Sequence, residues 1–206
     1  WLAGFAGGIF FAAQALAGSL SEGLTLHYSF DADAGATAAD SSGCGNNGTF
    51  VGAELAAATN EGQVATFNGT NAYIRVPSSS SLMPAAVTVA AWVRFDSLPT
   101  EVTALVFKRN PNNSNNEAYA LQLNADGGVR FVLGNGWQTR LDSSATMGAW
   151  EWHHVAASFA QPEMKIYVDG VLAGTASHNY PLSHNAAADL FVGAADHDYY
   201  PMSSFA

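Results

Sequence analysis

The stretch Val87-Thr88-Val89-Ala90-Ala91-Trp92-Val93-Arg94-Phe95 decides the fold class. Val87, Val89, Ala91, Val93 and Phe95 share one face, and Thr88, Ala90, Trp92 and Arg94 take the other. A period of two belongs to a strand with one face against a core. Moving outward, Tyr119, Leu121 and Leu123 form a similar stripe. Asp126-Gly127-Gly128 then turns the chain, and Val129, Phe131 and Leu133 return as the second arm of a hairpin. In Lys165-Ile166-Tyr167-Val168-Asp169-Gly170-Val171-Leu172, the Asp-Gly pair supplies the two positive φ angles of a type I′ turn. Further strands are predicted over 26–30, 64–67, 72–76, 104–107, 153–159 and 188–192. Strands this frequent, with no helical spacers, predict an all-β fold of two antiparallel sheets packed as a sandwich. No internal repeat is visible.

Composition narrows the function classes. The chain has 206 residues, 49% hydrophobic and 12% charged, which suits one sandwich domain with a sizeable core. Seven Lys and Arg stand against 17 Asp and Glu, a net charge of −10. Apart from Lys108-Arg109 the basic residues are scattered, which excludes a nucleic-acid footprint. An acidic surface also disfavours anionic membranes and suits an exported or cation-binding protein. The single cysteine, Cys44, cannot form an internal disulfide. A core of this size needs no such staple, so the lone thiol leaves export open.

Residues 1–17 read differently from the rest. Trp1 to Ala13 is apolar and uncharged, and Ala15-Leu16-Ala17 has the small-x-small form of a cleavage site. This matches the apolar region of a secretory signal peptide without its basic start or initiator Met, so 1–17 is expected to be a truncated leader outside the fold. The run is shorter than the roughly 20 residues a membrane span needs, and no span is expected in the mature chain. The folded domain is expected over 24–206.

Several phrases together carry a family resemblance. They are Tyr28-Ser29-Phe30-Asp31, Asp40-Ser41-Ser42-Gly43 with Asn46-Asn47-Gly48-Thr49, and Phe67-Asn68-Gly69-Thr70-Asn71-Ala72-Tyr73. After the stretch at 87–93 come Trp152-His153-His154-Val155-Ala156, Ile166-Tyr167-Val168-Asp169-Gly170 and Phe191-Val192-Gly193. In order and spacing they resemble the LamG-like jelly-roll domains of bacterial secreted and surface proteins, within the concanavalin A-like lectin/glucanase superfamily. The resemblance covers about 24–206. It implies a jelly roll of two antiparallel sheets serving carbohydrate binding or adhesion in larger secreted or cell-surface proteins. The implied partner is a glycan or an extracellular protein, with other domains in the same polypeptide. Members usually continue past Ser203-Ser204-Phe205-Ala206 with a Gly and an acidic strand. The expectation is therefore a fragment cut at both ends, with one sheet edge left unpaired.

The site residues are weighed against turn and core chemistry. Glucanases of this fold resemble one another in a Glu-x-Asp-x-x-Glu strand, whose alternate carboxylates flank one glycosidic bond. None of Glu22, Glu54, Glu61, Glu101, Glu117, Glu151 and Glu163 has an Asp two positions on, and no Gly-x-Ser-x-Gly elbow occurs. The expectation is a non-catalytic module. A structural or protein-interaction module is the first alternative, and a glycosidase with carboxylates distant in sequence is the second. Cys44 reads as incidental in its Gly-rich turn. His153 and His154 are adjacent on a strand, so they point to opposite faces and do not share an ion. Asp31-x-Asp33-x-Gly35 opens like an EF-hand loop, but Ser42 stands at the twelfth position. Asp31, Asp40 and Asn46 remain as candidate calcium ligands, hard oxygen donors in one loop region. Turn-capping is the competing use of the same residues. For glycan contact the candidates are Trp137, in Gly134-Asn135-Gly136-Trp137-Gln138, and Tyr199 and Tyr200, in Asp196-His197-Asp198-Tyr199-Tyr200. Trp92 with Arg94 is a further candidate on the less apolar sheet face, although Trp92 and Trp152 lie on strand patterns and read first as core.

Overall fold

The computed structural model describes residues 3–12, 21–58, 62–109, 117–134 and 138–195. Apart from one 3-10 turn at Ser80–Leu82, the regular elements are strands. The first eight are β1 (Ala3–Ala12), β2 (Leu24–Tyr28), β3 (Thr37–Ala38), β4 (Gly48–Val51), β5 (Glu54–Ala58), β6 (Gly62–Phe67), β7 (Tyr73–Val76) and β8 (Val87–Arg94). The others are β9 (Thr103–Arg109), β10 (Glu117–Leu123), β11 (Gly128–Gly134), β12 (Gln138–Thr146), β13 (His153–Ala160), β14 (Glu163–Val168), β15 (Val171–Ser177) and β16 (Leu190–Val192). They form two sheets of eight strands, paired antiparallel throughout their ladders. The first runs β15-β14-β13-β8-β1-β6-β5, with β2 also on β1, and the second runs β12-β11-β10-β9-β16-β7-β4-β3. The all-β sandwich expected from the strand pattern is what the chain forms.

Side-chain parity builds the core. Val87, Val89, Ala91 and Val93 of β8 are buried, as are Val155, Ala157 and Phe159 of β13 and Met164, Ile166 and Val168 of β14. Against them pack Tyr119, Leu121 and Leu123 of β10, Phe131 and Leu133 of β11, and Leu190 and Val192 of β16. Opposite parity in the second sheet gives a smaller apolar cluster on its outer side, with Tyr73, Phe107, Val132 and Phe191. The β14–β15 hairpin turns at Asp169 and Gly170, with φ of 51° and 78°, the conformation that the Asp-Gly pair predicts.

The N-terminal segment departs from expectation. Ala3–Ala12, set outside the fold in the sequence reading, is a strand within the first sheet, flanked by β8 on one side and by β6 and β2 on the other. An uncharged, mostly small or apolar run can fill a slot with a ladder on each side, whatever else its composition resembles. With β13 on its other side, β8 is paired along both edges.

Candidate functional site

The predicted oxygen-donor trio divides in two. Asp40 sits between β3 and β4 with both carboxylate oxygens in use. Oδ1 accepts the backbone N–H groups of His27 (3.0 Å) and Ser42 (2.9 Å). Oδ2 accepts the Ser42 hydroxyl (2.8 Å) and the Asn46 N–H (2.9 Å). Partial burial pushes the Asp40 carboxyl up, but these donors outweigh it and hold its pKa below the ordinary carboxylate value. Asn46, 4% exposed, donates from Nδ2 to the Thr25 carbonyl (2.6 Å) and Ser81 Oγ (2.9 Å), and its Oδ1 accepts the Ser79 hydroxyl (2.6 Å). The Tyr28 phenol donates to the Asn46 carbonyl at 2.6 Å. Asp40 and Asn46 thus meet as organisers of one turn, tying the loop to β2 and to the serines before β8. Asp31 serves a different loop, accepting the Gln63 N–H at 3.3 Å. Among the described residues no three His, Cys, Asp or Glu side chains are grouped to hold a metal ion.

The glycan candidates Trp137, Tyr199 and Tyr200 lie outside the described residues. The strands flanking two of the loops end on one rim of the second sheet: Gly134 pairs with Gln138, and Arg109 with Glu117. The N–H of Ser183 reaches the Gly134 carbonyl at the same rim, at 3.3 Å. Below it Lys108 is fully buried, its ammonium donating to Ser78 Oγ (2.9 Å) and to the Ala188 carbonyl. Burial lowers its pKa to about 8, against the opposing pull of the Asp189 carboxylate.

The outer face of the first sheet carries a further candidate, around Trp92 and Arg94. Trp92, read first as core, is 42% exposed, because Ala91 and Val93 take the inward positions of β8. His154 lies directly across on β13, its ring centroid 5.3 Å from that of Trp92. Burial lowers its pKa, against the opposing pull of the Asp169 carboxylate. Arg94, two positions along, holds its guanidinium 5.5 Å from the centroid of the half-buried Trp152, and its Nε is buried with no hydrogen-bond partner. Trp150, missed in the sequence, is 67% exposed at the same end, its N–H donating to the Phe95 carbonyl at 2.8 Å. Its φ of 70° is unusual for an aromatic residue. The available signal was parity: Trp92 and Arg94 already share the outward face of the alternating stretch.

His153 and His154 point apart as expected. His153 Nδ1 bonds Asp169 Oδ2 at 2.8 Å inside the β14–β15 turn, away from Trp92. Cys44 is exposed. A shallow groove of about 460 Å³ runs between the edge strands β12 and β15.

Comparison with known proteins places this geometry. A family model described as the concanavalin A-like lectin/glucanases superfamily matches residues 68–204. No curated protein matches the chain. Among solved structures, domain 4 of AbnA, an extracellular GH43 arabinanase from Geobacillus stearothermophilus in complex with arabinotriose, is 24% identical, with a TM-score of 0.66 over 88% of this chain and 87% of that one. The laminin α1 chain LG4-5 fragment from mouse is 16% identical, with a TM-score of 0.53 over 65% of this chain and 36% of that one. A Trypanosoma rangeli sialidase is 15% identical, with a TM-score of 0.62 over 95% of this chain and 28% of that one. At these identities the likeness is one of fold, and the chain spans only a part of the laminin fragment and the sialidase. With most of its length matched and two antiparallel sheets packed face to face, the chain belongs to the concanavalin A-like lectin/glucanases superfamily.

Proposed function

We propose that this chain is a non-catalytic carbohydrate-binding module of a secreted or cell-surface protein. The observation that carries the reading is the half-exposed Trp92 ring on the outer face of the first sheet, with His154 against it and the Arg94 donors beside it. A flat ring offers an apolar surface to the C–H face of a sugar, and nearby polar groups orient the hydroxyls. The shared fold of an arabinanase domain captured with arabinotriose supports a glycan ligand. Trp137, Tyr199 and Tyr200 are proposed as further glycan contacts.

A non-catalytic role is supported by the carboxyl groups. A glycosidase acid needs a raised pKa and a second carboxylate across a groove. Partial burial raises the pKa of Asp33, whose Oδ1 accepts the Ala39 N–H in a loop away from the Trp92 face. Export is proposed from the shared fold of a domain of an extracellular arabinanase. Among the described residues no helix is long and apolar enough to cross a membrane. A second reading, a protein-adhesion surface, is favoured by one observation: Val171 and Leu172 are exposed on the edge strand β15, where another chain could add a strand.

Glycan-array screening of the wild type beside Trp92→Ala, Trp137→Ala and Tyr199→Ala/Tyr200→Ala tests the reading. Loss of binding in Trp92→Ala with an unchanged melting temperature is expected. Equal binding by wild type and Trp92→Ala would move the site off the first sheet, and no glycan bound by the wild type would overturn the proposal.

A further inference from the structure

The cations of this chain are distributed unevenly with respect to its carboxylates. Arg75 pairs with Asp189 at 2.6 Å, Arg130 with Asp142 at 2.7 Å and Lys165 with Glu163 at 2.7 Å. Arg140 acts electrostatically on Asp142, and Lys108 is buried against Ser78 and the Ala188 carbonyl. Among the described side chains Arg94 is the exception. Its guanidinium lies over the Trp152 ring, and its Nε is buried without a hydrogen-bond partner. With 17 acidic residues against seven basic ones, a guanidinium that meets no carboxylate is against the odds.

The position of Arg94 gives that acceptor a context. It shares the outward face of β8 with Trp92, and positions two apart on a strand stand roughly 7 Å from one another. A ring for stacking and a planar fork of N–H donors therefore sit side by side. The fork matches a carboxylate in two parallel hydrogen bonds. Trp150, exposed, lies near the same end of β8 through its backbone N–H bond to the Phe95 carbonyl.

We infer that this face reads a carboxylate-bearing sugar, a uronic acid within a polysaccharide chain, with Trp92 as the stacking ring and the Arg94 guanidinium as the anion receptor. The inference rests on the glycan-binding reading above and adds the ligand's charge to it. The wild-type chain is titrated with polygalacturonate and with alginate, each beside its methyl-esterified form, which keeps the backbone and removes the charge. Affinity for the acidic polymers is expected to exceed that for the esters about tenfold or more, and to weaken as salt rises. Arg94→Gln is expected to remove the preference, leaving ester binding intact, and Arg94→Lys to restore only part of it.

Equal affinity for acid and ester, with binding still lost in Trp92→Ala, would overturn the inference and leave glycan binding standing. Failure of the wild type to bind any of the four polymers, or any glycan on an array, would overturn both. If Arg94→Gln does not fold, the acid-to-ester ratio and its salt dependence in the wild type decide the matter.

Discussion

At Asn46 one buried amide holds Thr25, Ser79 and Ser81, and its backbone N–H holds Asp40. Asn46→Ala would leave the two hydroxyls and the Thr25 carbonyl without this partner. A loss of about 2–3 kcal/mol is expected, read as a fall of roughly 5–10 °C in melting temperature. The same geometry bears on calcium. An ion at Asp31, Asp40 and Asn46 would have to displace four donors from Asp40 and bridge to an Asp31 that serves another loop. Melting curves with and without EDTA are therefore expected to coincide; a chelator-sensitive shift would show that the turn rearranges around an ion. Lys108 gives a pH dependence of definite sign. Its folded pKa of about 8 lies below the ordinary 10.5, so between these values the unfolded chain binds more protons, and stability rises with pH. The penalty of the buried charge is fully present below pH 8, and its relief contributes at most about 3 kcal/mol. Above about pH 10 the buried phenols of Tyr28 and Tyr119, pushed far up by burial, oppose the trend, because the unfolded chain then ionises first. Urea unfolding between pH 7 and 10 should show the rise, and Lys108→Met should flatten it.

Among the elements, β1 and the turn after β16 respond most sharply to change. β1 supplies ladder partners to β8, β6 and β2 at once. Removing residues 1–17 is expected to lower the melting temperature by 10 °C or more, roughly the loss of several buried strand pairings, and to speed hydrogen exchange at the edge of β8 that faces β1. Unchanged melting would show that the strand adds nothing to the sheet. At Gly193, φ is +83° and an added Cβ would fall 2.5 Å from the Phe67 ring. Gly193→Ala therefore combines backbone strain with a core clash, and a loss of about 2–4 kcal/mol is expected. Gly170→Ala, with a similar φ but open space around it, should cost only about 1 kcal/mol. The hairpin at Asp169-Gly170 was legible because turn chemistry is local. The role of β1 was not, because an uncharged small-residue run reads alike as a leader and as a strand inside a sheet.

For the whole molecule, alternation along the chain determined the two-sheet architecture and which residues of β8, β10, β11 and β14 enter the core. Parity is a property of the backbone, and it needs no knowledge of the partner strand. The ordered phrases from Tyr28 to Gly193 also pointed to the superfamily that the residues 68–204 match. Composition by itself set the charge at −10 and with it the low prospect of a nucleic-acid surface. Which aromatic residues lie open to a ligand was decided only in three dimensions. Trp92 and Trp152 both sit on strand patterns, yet Trp92 stands exposed while Trp152 is half-buried beneath a guanidinium. Likewise, Asp31 and Asp40 are equally suited to a cation in sequence, and only the folded loops send them to different partners. The reason is common to both cases: a side chain's parity and chemistry are local, but its exposure and its hydrogen-bond partners depend on segments that sequence distance does not bring together.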